Sequence, residues 1–244
     1  MPGAAKPAWW DGAARDLARD DRTLARIIRR HPGLHLARRG EPFTTLARAI
    51  VGQQISVKAA QSIWERVVVA VTGSGTGGVP GSAPAAVAAI APAVPIVAGA
   101  TPSVAVVRLD PARVARMRLP TLARCGLSAR KAEYIRDLAR HFASGRLEPS
   151  TWPALDDEAL IGQLVDVKGI GRWTAEMFLM FHELRPDVFP VDDIGLQKAV
   201  ALHYHDGERM TPKALLAFGE RWRPWRSAAT WYLWRSLDPI PVEY

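Results

Sequence analysis

Apolar residues recur at helical rather than strand spacing along most of this 244-residue chain. Over residues 13–30, Leu17, Leu24, Ile27 and Ile28 fall on one face, which predicts a helix ended by Pro32 and Gly33. A second helix is expected to start at Thr44 or Thr45, with Leu46, Ile50 and Val51 as its apolar face. Ser56 is a natural N-cap for a third, which turns Ala59, Ala60, Ile63, Trp64 and Val67 to one side. Pro111 suits a first helical position after Asp110. Ser128 then caps a helix running to about Phe142, with Ala132, Ile135, Leu138 and Ala139 inward. Asp156 caps the next, through Leu160, Ile161 and Leu164. No stretch alternates convincingly as a strand, and no repeat of fixed period appears, so the expected fold class is all-α.

The run Thr72–Val107 departs from this pattern. It is Gly-rich first, then rich in Ala, Pro and Val, and nearly without charge. It reads as an irregular insertion with one short helix near Ala85–Ile90, carrying no chemistry. The longest apolar region, Ala83–Val107, is broken by four prolines, and no basic-then-apolar leader precedes Trp9 and Trp10. The expectation is therefore no membrane association and a cytoplasmic location.

Composition narrows the chemistry. The single cysteine, Cys125, excludes an internal disulfide framework and a four-cysteine metal or iron–sulfur site. Its plain reading is a small apolar residue. A formal charge of +8 suits a polyanion such as nucleic acid without proving one. With 48% hydrophobic residues, the chain can bury one substantial core or two small lobes.

The most informative stretch is Leu164-Val165-Asp166-Val167-Lys168-Gly169-Ile170-Gly171-Arg172-Trp173-Thr174-Ala175. An apolar helix ends near Val167, and a second begins at about Arg172 and continues through Phe178 and Phe181. Two glycines in three positions permit unusual backbone angles and close approach of another backbone. Ile170 between them would plug into the core, and the amides opening the second helix can face a phosphate. This helix-hairpin-helix pattern, 161–181, grips a nucleic-acid backbone without reading its sequence. The backbone-binding candidates are Lys168, Gly169, Ile170, Gly171, Arg172 and Thr174. A plain helix-to-helix turn is the alternative for Gly-x-Gly taken alone.

About twenty residues on comes Asp187-Val188-Phe189-Pro190-Val191-Asp192-Asp193-Ile194-Gly195-Leu196. Either acid of the Asp192–Asp193 pair can cap the helix that follows. Asp193 is also a candidate catalytic carboxylate, which leaves Asp192 as a cap or a supporting residue.

With these segments in view, the chain resembles the helix-hairpin-helix/Gly-Pro-Asp superfamily of base-excision DNA glycosylases. Within it, the chain is most similar to the DNA-3-methyladenine glycosylase II family. The matching segments also include Val51-Gly52-Gln53-Gln54-Ile55-Ser56-Val57, Gly126-Leu127-Ser128 with Lys131-Ala132-Glu133, and Trp222-Arg223-Pro224-Trp225-Arg226-Ser227. They follow the family's order and cover roughly residues 43–70 and 108–236. The resemblance implies a two-lobed helical fold with a substrate cleft. One lobe would be 43–180, including the 72–107 insertion, and the other 1–42 plus 181–244. The additional N-terminal α/β domain of longer relatives is expected to be absent.

It also implies a set of roles. Asp193 would be the carboxylate that stabilises the positive charge developing on the sugar as the N-glycosidic bond breaks. An alkylated base can itself be cationic, which suits an aromatic pocket. Trp173 and Trp234 resemble pocket residues, whereas Trp222, Trp225 and Trp231 read as core. Met177 and Ile194 occupy pocket positions where better-known bacterial members have tyrosines, so the base preference is left open. Gln53 and Gln54 lie in the segment that enters the duplex, with Gln54 as the wedge. Bifunctional relatives have a lysine where Trp173 stands; its absence implies simple base removal that leaves an abasic site. The expected partner is double-stranded DNA carrying alkylated bases, bound by a monomer. No cofactor is expected beyond a monovalent cation on the hairpin carbonyls of residues 166–171. A glycosylase for other damaged or mismatched bases, or a non-catalytic damage sensor, remains the rival.

Overall fold

A computed structural model describes residues 6–38, 40–73 and 107–238. Among them every regular element is helical, as expected. They fall into two compact units, 6–38 with 179–238 and 40–73 with 107–178.

The first unit opens with α1 (Trp10–Asp20) and α2 (Arg22–Arg30). The periodicity had predicted one helix over 13–30. Asp21 divides it: its backbone is extended, and its carboxylate accepts from Thr23 N and Leu24 N as the cap of α2. A new helix start with a good cap replaces a helix interior containing three aspartates and an arginine-rich face.

The second unit runs α3 (Pro42–Gly52), α4 (Val57–Thr72), α5 (Pro111–Arg116), α6 (Leu119–Ala123), α7 (Ala129–Ala143), α8 (Asp157–Val165) and α9 (Arg172–Phe178). Its caps at Ser56, Asp110, Ser128 and Asp156 are those the sequence predicts. The start of α3 is not. Glu41 rather than a threonine is the cap, its carboxylate accepting from Phe43 N and Thr44 N, and Pro42 takes the first helical position. A chain of edge-to-face rings, Phe43–Phe142–Trp152–Phe178, runs through the core of this unit. Cys125 is buried there, and burial pushes its thiol up. The expected irregular insertion lies almost wholly outside the described residues; Thr72 ends α4, Gly73 caps it in the left-handed region, and Val107 leads toward α5.

The first unit resumes with a π-helical turn at Leu179–Glu183, then α10 (Ile194–Tyr204), α11 (Pro212–Gly219) and α12 (Arg226–Arg235). Its core gathers Trp10, Leu24, Trp222, Trp231 and Leu233. Trp225, expected in the core, is half-buried and stacks on Trp9. His203 is half-buried with its Nε2 2.8 Å from Ser236 Oγ.

Asp21 serves this unit twice. Besides capping α2, its second oxygen accepts from Tyr204 Oη at 2.9 Å and Trp222 Nε1 at 3.0 Å. Burial, then the Asp21 charge, pushes the Tyr204 hydroxyl above the usual phenol range, so it stays a donor. Asp21→Ala removes a cap worth about 1 kcal/mol and leaves two donors without their acceptor at about 1 kcal/mol or more each. Urea unfolding is expected to show a loss of about 2–4 kcal/mol for Asp21→Ala and less for Asp21→Asn. A loss below about 1 kcal/mol for the alanine variant would contradict this account.

Candidate active site

The residues singled out for chemistry fall into both units, and each group is coherent within its own. In the first unit, the Asp187–Asp193 segment is held by α12. Arg226 opens that helix, is only 8% exposed, and forks onto Asp187: Nε to Oδ1 at 2.8 Å and Nη2 to Oδ2 at 3.0 Å. The same Nη2 donates to the Asp187 carbonyl at 2.9 Å, and Nη1 reaches Glu220 at 3.1 Å. A buried guanidinium is tolerated only with such partners. The next residue, Ser227, accepts from Val188 N and donates to Arg185 O.

At the other end of α12, Trp234 Nε1 donates to Asp193 Oδ1 at 2.7 Å. The same oxygen accepts from Leu196 N at 2.7 Å, making Asp193 the cap of α10. The cap reading of Asp193 is the one seen here, and the two bonds fix the orientation of its carboxylate. Asp192 is exposed and does not cap the helix, because Asp193 holds that position. Asp193 itself is 6% exposed. The Trp234 ring stacks on Phe181 at 5.9 Å with planes 12° apart. Ile194 is 58% exposed.

Gly195 makes this arrangement possible. A Cβ there would stand 3.0 Å from Asp193 Oδ1 and 3.0 and 3.1 Å from the indole of Trp234. Sequence reading gave Trp234 a pocket role but missed its bond to Asp193, the partnership of Phe181, and the need for glycine at 195. Only the glycine directly after Asp-Asp-Ile hinted at a close approach.

In the second unit, α8 ends at Val165 and the turn runs to Gly171. Ile170 is 4% exposed, the plug its apolar side chain predicts. Ile170 N donates to Val167 O, and Lys168 N to Asp137 Oδ2 at 2.9 Å. Gly169 has φ +85°, and a Cβ there would lie 2.1 Å from the Tyr134 ring. Glycine is therefore required twice over. Lys168 is exposed. Arg172, a backbone-binding candidate, is paired with Glu158 and, at 3.0 Å, Glu176. Thr174, Trp173 and Met177 are half-buried.

Gln53, expected to enter the duplex, turns its amide onto the hairpin, donating to Gly169 O at 2.9 Å. Gln54 is exposed, with φ +57°. Neutral carbonyls are the donor set a singly charged cation takes. Of the hairpin carbonyls, Val167 O and Gly169 O each accept one hydrogen bond and keep a second lone pair. The set fits such a cation. Among the described residues no cluster of His, Cys, Asp and Glu could hold a metal, and no helix is long and apolar enough to cross a membrane.

A family model described as HhH-GPD superfamily base excision DNA repair protein matches residues 47–224. The chain belongs to this superfamily. Within it, the DNA-3-methyladenine glycosylase 1 of Schizosaccharomyces pombe is 31% identical over 198 residues, 80% of this chain and 72% of that protein. This places the chain among the DNA-3-methyladenine glycosylases. YfjP of Bacillus subtilis is 38% identical over 128 residues, 52% of this chain, and the matched segment spans 45% of that protein. Among solved structures, a Bacillus halodurans DNA-3-methyladenine glycosidase superposes with a TM-score of 0.72 at 31% identity, covering 92% of this chain and 88% of that one. The S. pombe 3-methyladenine DNA glycosylase in complex with abasic DNA superposes with a TM-score of 0.68 at 28% identity, covering 92% and 96%. The all-α glycosylase fold expected from the sequence is the fold found.

Gly195 gives this glycosylase-family site a direct test. Glycine to alanine in a helix normally stabilises by about 1 kcal/mol. At residue 195 the Asp193 carboxylate and the Trp234 indole must instead give way by a few tenths of an ångström. In Gly195→Ala the Trp234 indole N–H resonance is expected to move upfield as its bond to Asp193 lengthens, with little change in melting temperature. An unchanged indole resonance contradicts the arrangement.

Proposed function

We propose that this chain hydrolyses the N-glycosidic bond of alkylated bases, of the 3-methyladenine and 7-methylguanine type, in duplex DNA and leaves an abasic site. The observation that carries the reading is the Asp193 carboxylate, held by two N–H donors beside the stacked Phe181–Trp234 pair.

In this mechanism the target base is flipped out of the stack. Bond breaking places positive charge on the deoxyribose, and Asp193 is the fixed counter-charge. Its orientation is set before substrate arrives, so none of the stabilisation is lost to reorganising it. The carboxylate also orients the water that completes hydrolysis. The electron-rich indole of Trp234 favours a cationic base by stacking and cation–π attraction. Trp173, Met177 and Ile194 are assigned to the base pocket by resemblance. A cationic base departs with little acid help, which fits a site built around one carboxylate.

The hairpin residues 168–171, with Thr174, hold the DNA backbone, and a monovalent cation on the hairpin carbonyls would add positive charge facing a phosphate. Arg172 is assigned a supporting role, because its charge is spent on Glu158 and Glu176. With Trp173 at the lysine position of lyase relatives, the enzyme forms no Schiff base. It acts as a monomer on cytoplasmic DNA.

The test is base release from methylated duplex by wild type and Asp193→Asn. Wild type releases alkylated base; the variant is expected to lose excision by about 100-fold or more while binding the duplex as before. Equal release by both proteins, or release of oxidised or mismatched bases in preference, would sink the reading.

A further inference from the structure

The turn after α3 carries the two glutamines, and its shape is unusual for its sequence. Gln54 occupies the left-handed region that side chains rarely adopt. The turn lies where the last carbonyls of a helix have no intrahelical partner. Two of them are taken by one side chain: Lys131 Nζ donates to Val51 O at 2.8 Å and to Gln53 O at 2.6 Å. Lys131 stands in the first turn of α7 and is half-buried; burial holds its ammonium below the ordinary lysine range. Its charge therefore sits on the negative end of the α3 dipole, with carbonyls rather than a carboxylate as partners.

The same stripe of α7 also fixes the hairpin. Tyr134 and Asp137 follow Lys131 at three and six residues, neighbours along one side of the helix. The Tyr134 ring fills the space a Cβ on Gly169 would need, and Asp137 accepts from Lys168 N. Gln53 closes the circuit with its bond to Gly169 O.

We propose that Lys131 is a positioning residue whose ammonium holds the Gln53–Gln54 turn in the shape that presents Gln54 to the duplex, on the helix face that also fixes the hairpin. This rests on the glycosylase reading above. A turn shaped in advance does not have to be ordered when the side chain enters the stack. The hairpin's grip on the backbone has its own supports in Tyr134 and Asp137 and does not need the lysine.

The experiment uses the full chain as wild type, Lys131→Ala, Lys131→Met and Lys131→Arg. A duplex carrying an abasic analogue beside 2-aminopurine reports unstacking by fluorescence, and an undamaged duplex reports backbone affinity. Single-turnover release of 7-methylguanine reports catalysis. Lys131→Ala and Lys131→Met are expected to lose the fluorescence rise and to slow release about tenfold or more. Their affinity for undamaged DNA stays within about twofold of wild type, since phosphate contacts carry it. Lys131→Arg restores both signals, and added methylammonium partly restores them in Lys131→Ala. Lys131→Met keeps the buried stem, so lost packing is separated from lost charge.

A wild-type fluorescence rise in Lys131→Met overturns the proposal. So does a matching loss of affinity for undamaged DNA, or failure of arginine to restore the signal. Wild type that releases no alkylated base sinks the glycosylase reading alone, because the fluorescence measurement involves no chemistry.

Discussion

The orientation of one carboxylate rests on the grip of α12. Its first turn holds residues 185–188 through Arg226 and Ser227, and its last turn reaches Asp193 through Trp234. A short acidic loop is thereby pinned at both ends to one rigid helix. The first grip is a forked, charge-assisted pair with a buried guanidinium, so losing Asp187 would leave the Arg226 charge short of partners. The second is a bond from a neutral donor to a carboxylate, worth about 1.5–3 kcal/mol when buried. Together they let Asp193 cap α10 and still face a fixed direction.

Both units hold a glycine where a side chain would crowd its neighbours. Gly195 admits the indole of Trp234 to the carboxylate, and Gly169 admits the ring of Tyr134 to the hairpin. At Gly195 the energetic logic runs against local propensity. Glycine weakens a helix start and loosens an unfolded chain, yet the contact it permits is what shapes the site. The charged residues around these contacts are spent internally. Arg172 on Glu158, Arg226 on Asp187 and Lys131 on two carbonyls are structural charges, each held by acceptors of the protein itself.

Helix existence and most caps were legible because they depend on neighbours in sequence. Ser56, Asp110, Ser128 and Asp156 each sit beside the amides they satisfy. The hairpin and the Asp193 motif were legible as ordered segments. The break of the predicted 13–30 helix at Asp21 was missed because periodicity averages away a local cap, here reinforced by a tertiary demand, acceptors for Tyr204 and Trp222. The bond from Gln53 to the hairpin left no local trace because its partner lies 116 residues distant. Trp234 was placed at the site, but its bond to Asp193 spans 41 residues and leaves no local trace. Lys131 stood inside a matching motif with nothing in its own neighbourhood to say which carbonyls it would find.

The central claim is that Trp234 acts through Asp193, and a double-mutant cycle on base release tests it most directly. Trp234→Phe keeps the stacking ring and removes the N–H. In the wild-type background it is expected to slow release about tenfold, equivalent to about 1.4 kcal/mol. In the Asp193→Asn background it is expected to change the residual release by less than about twofold, because the bond it removes no longer orients a carboxylate. Equal losses in both backgrounds would contradict the account.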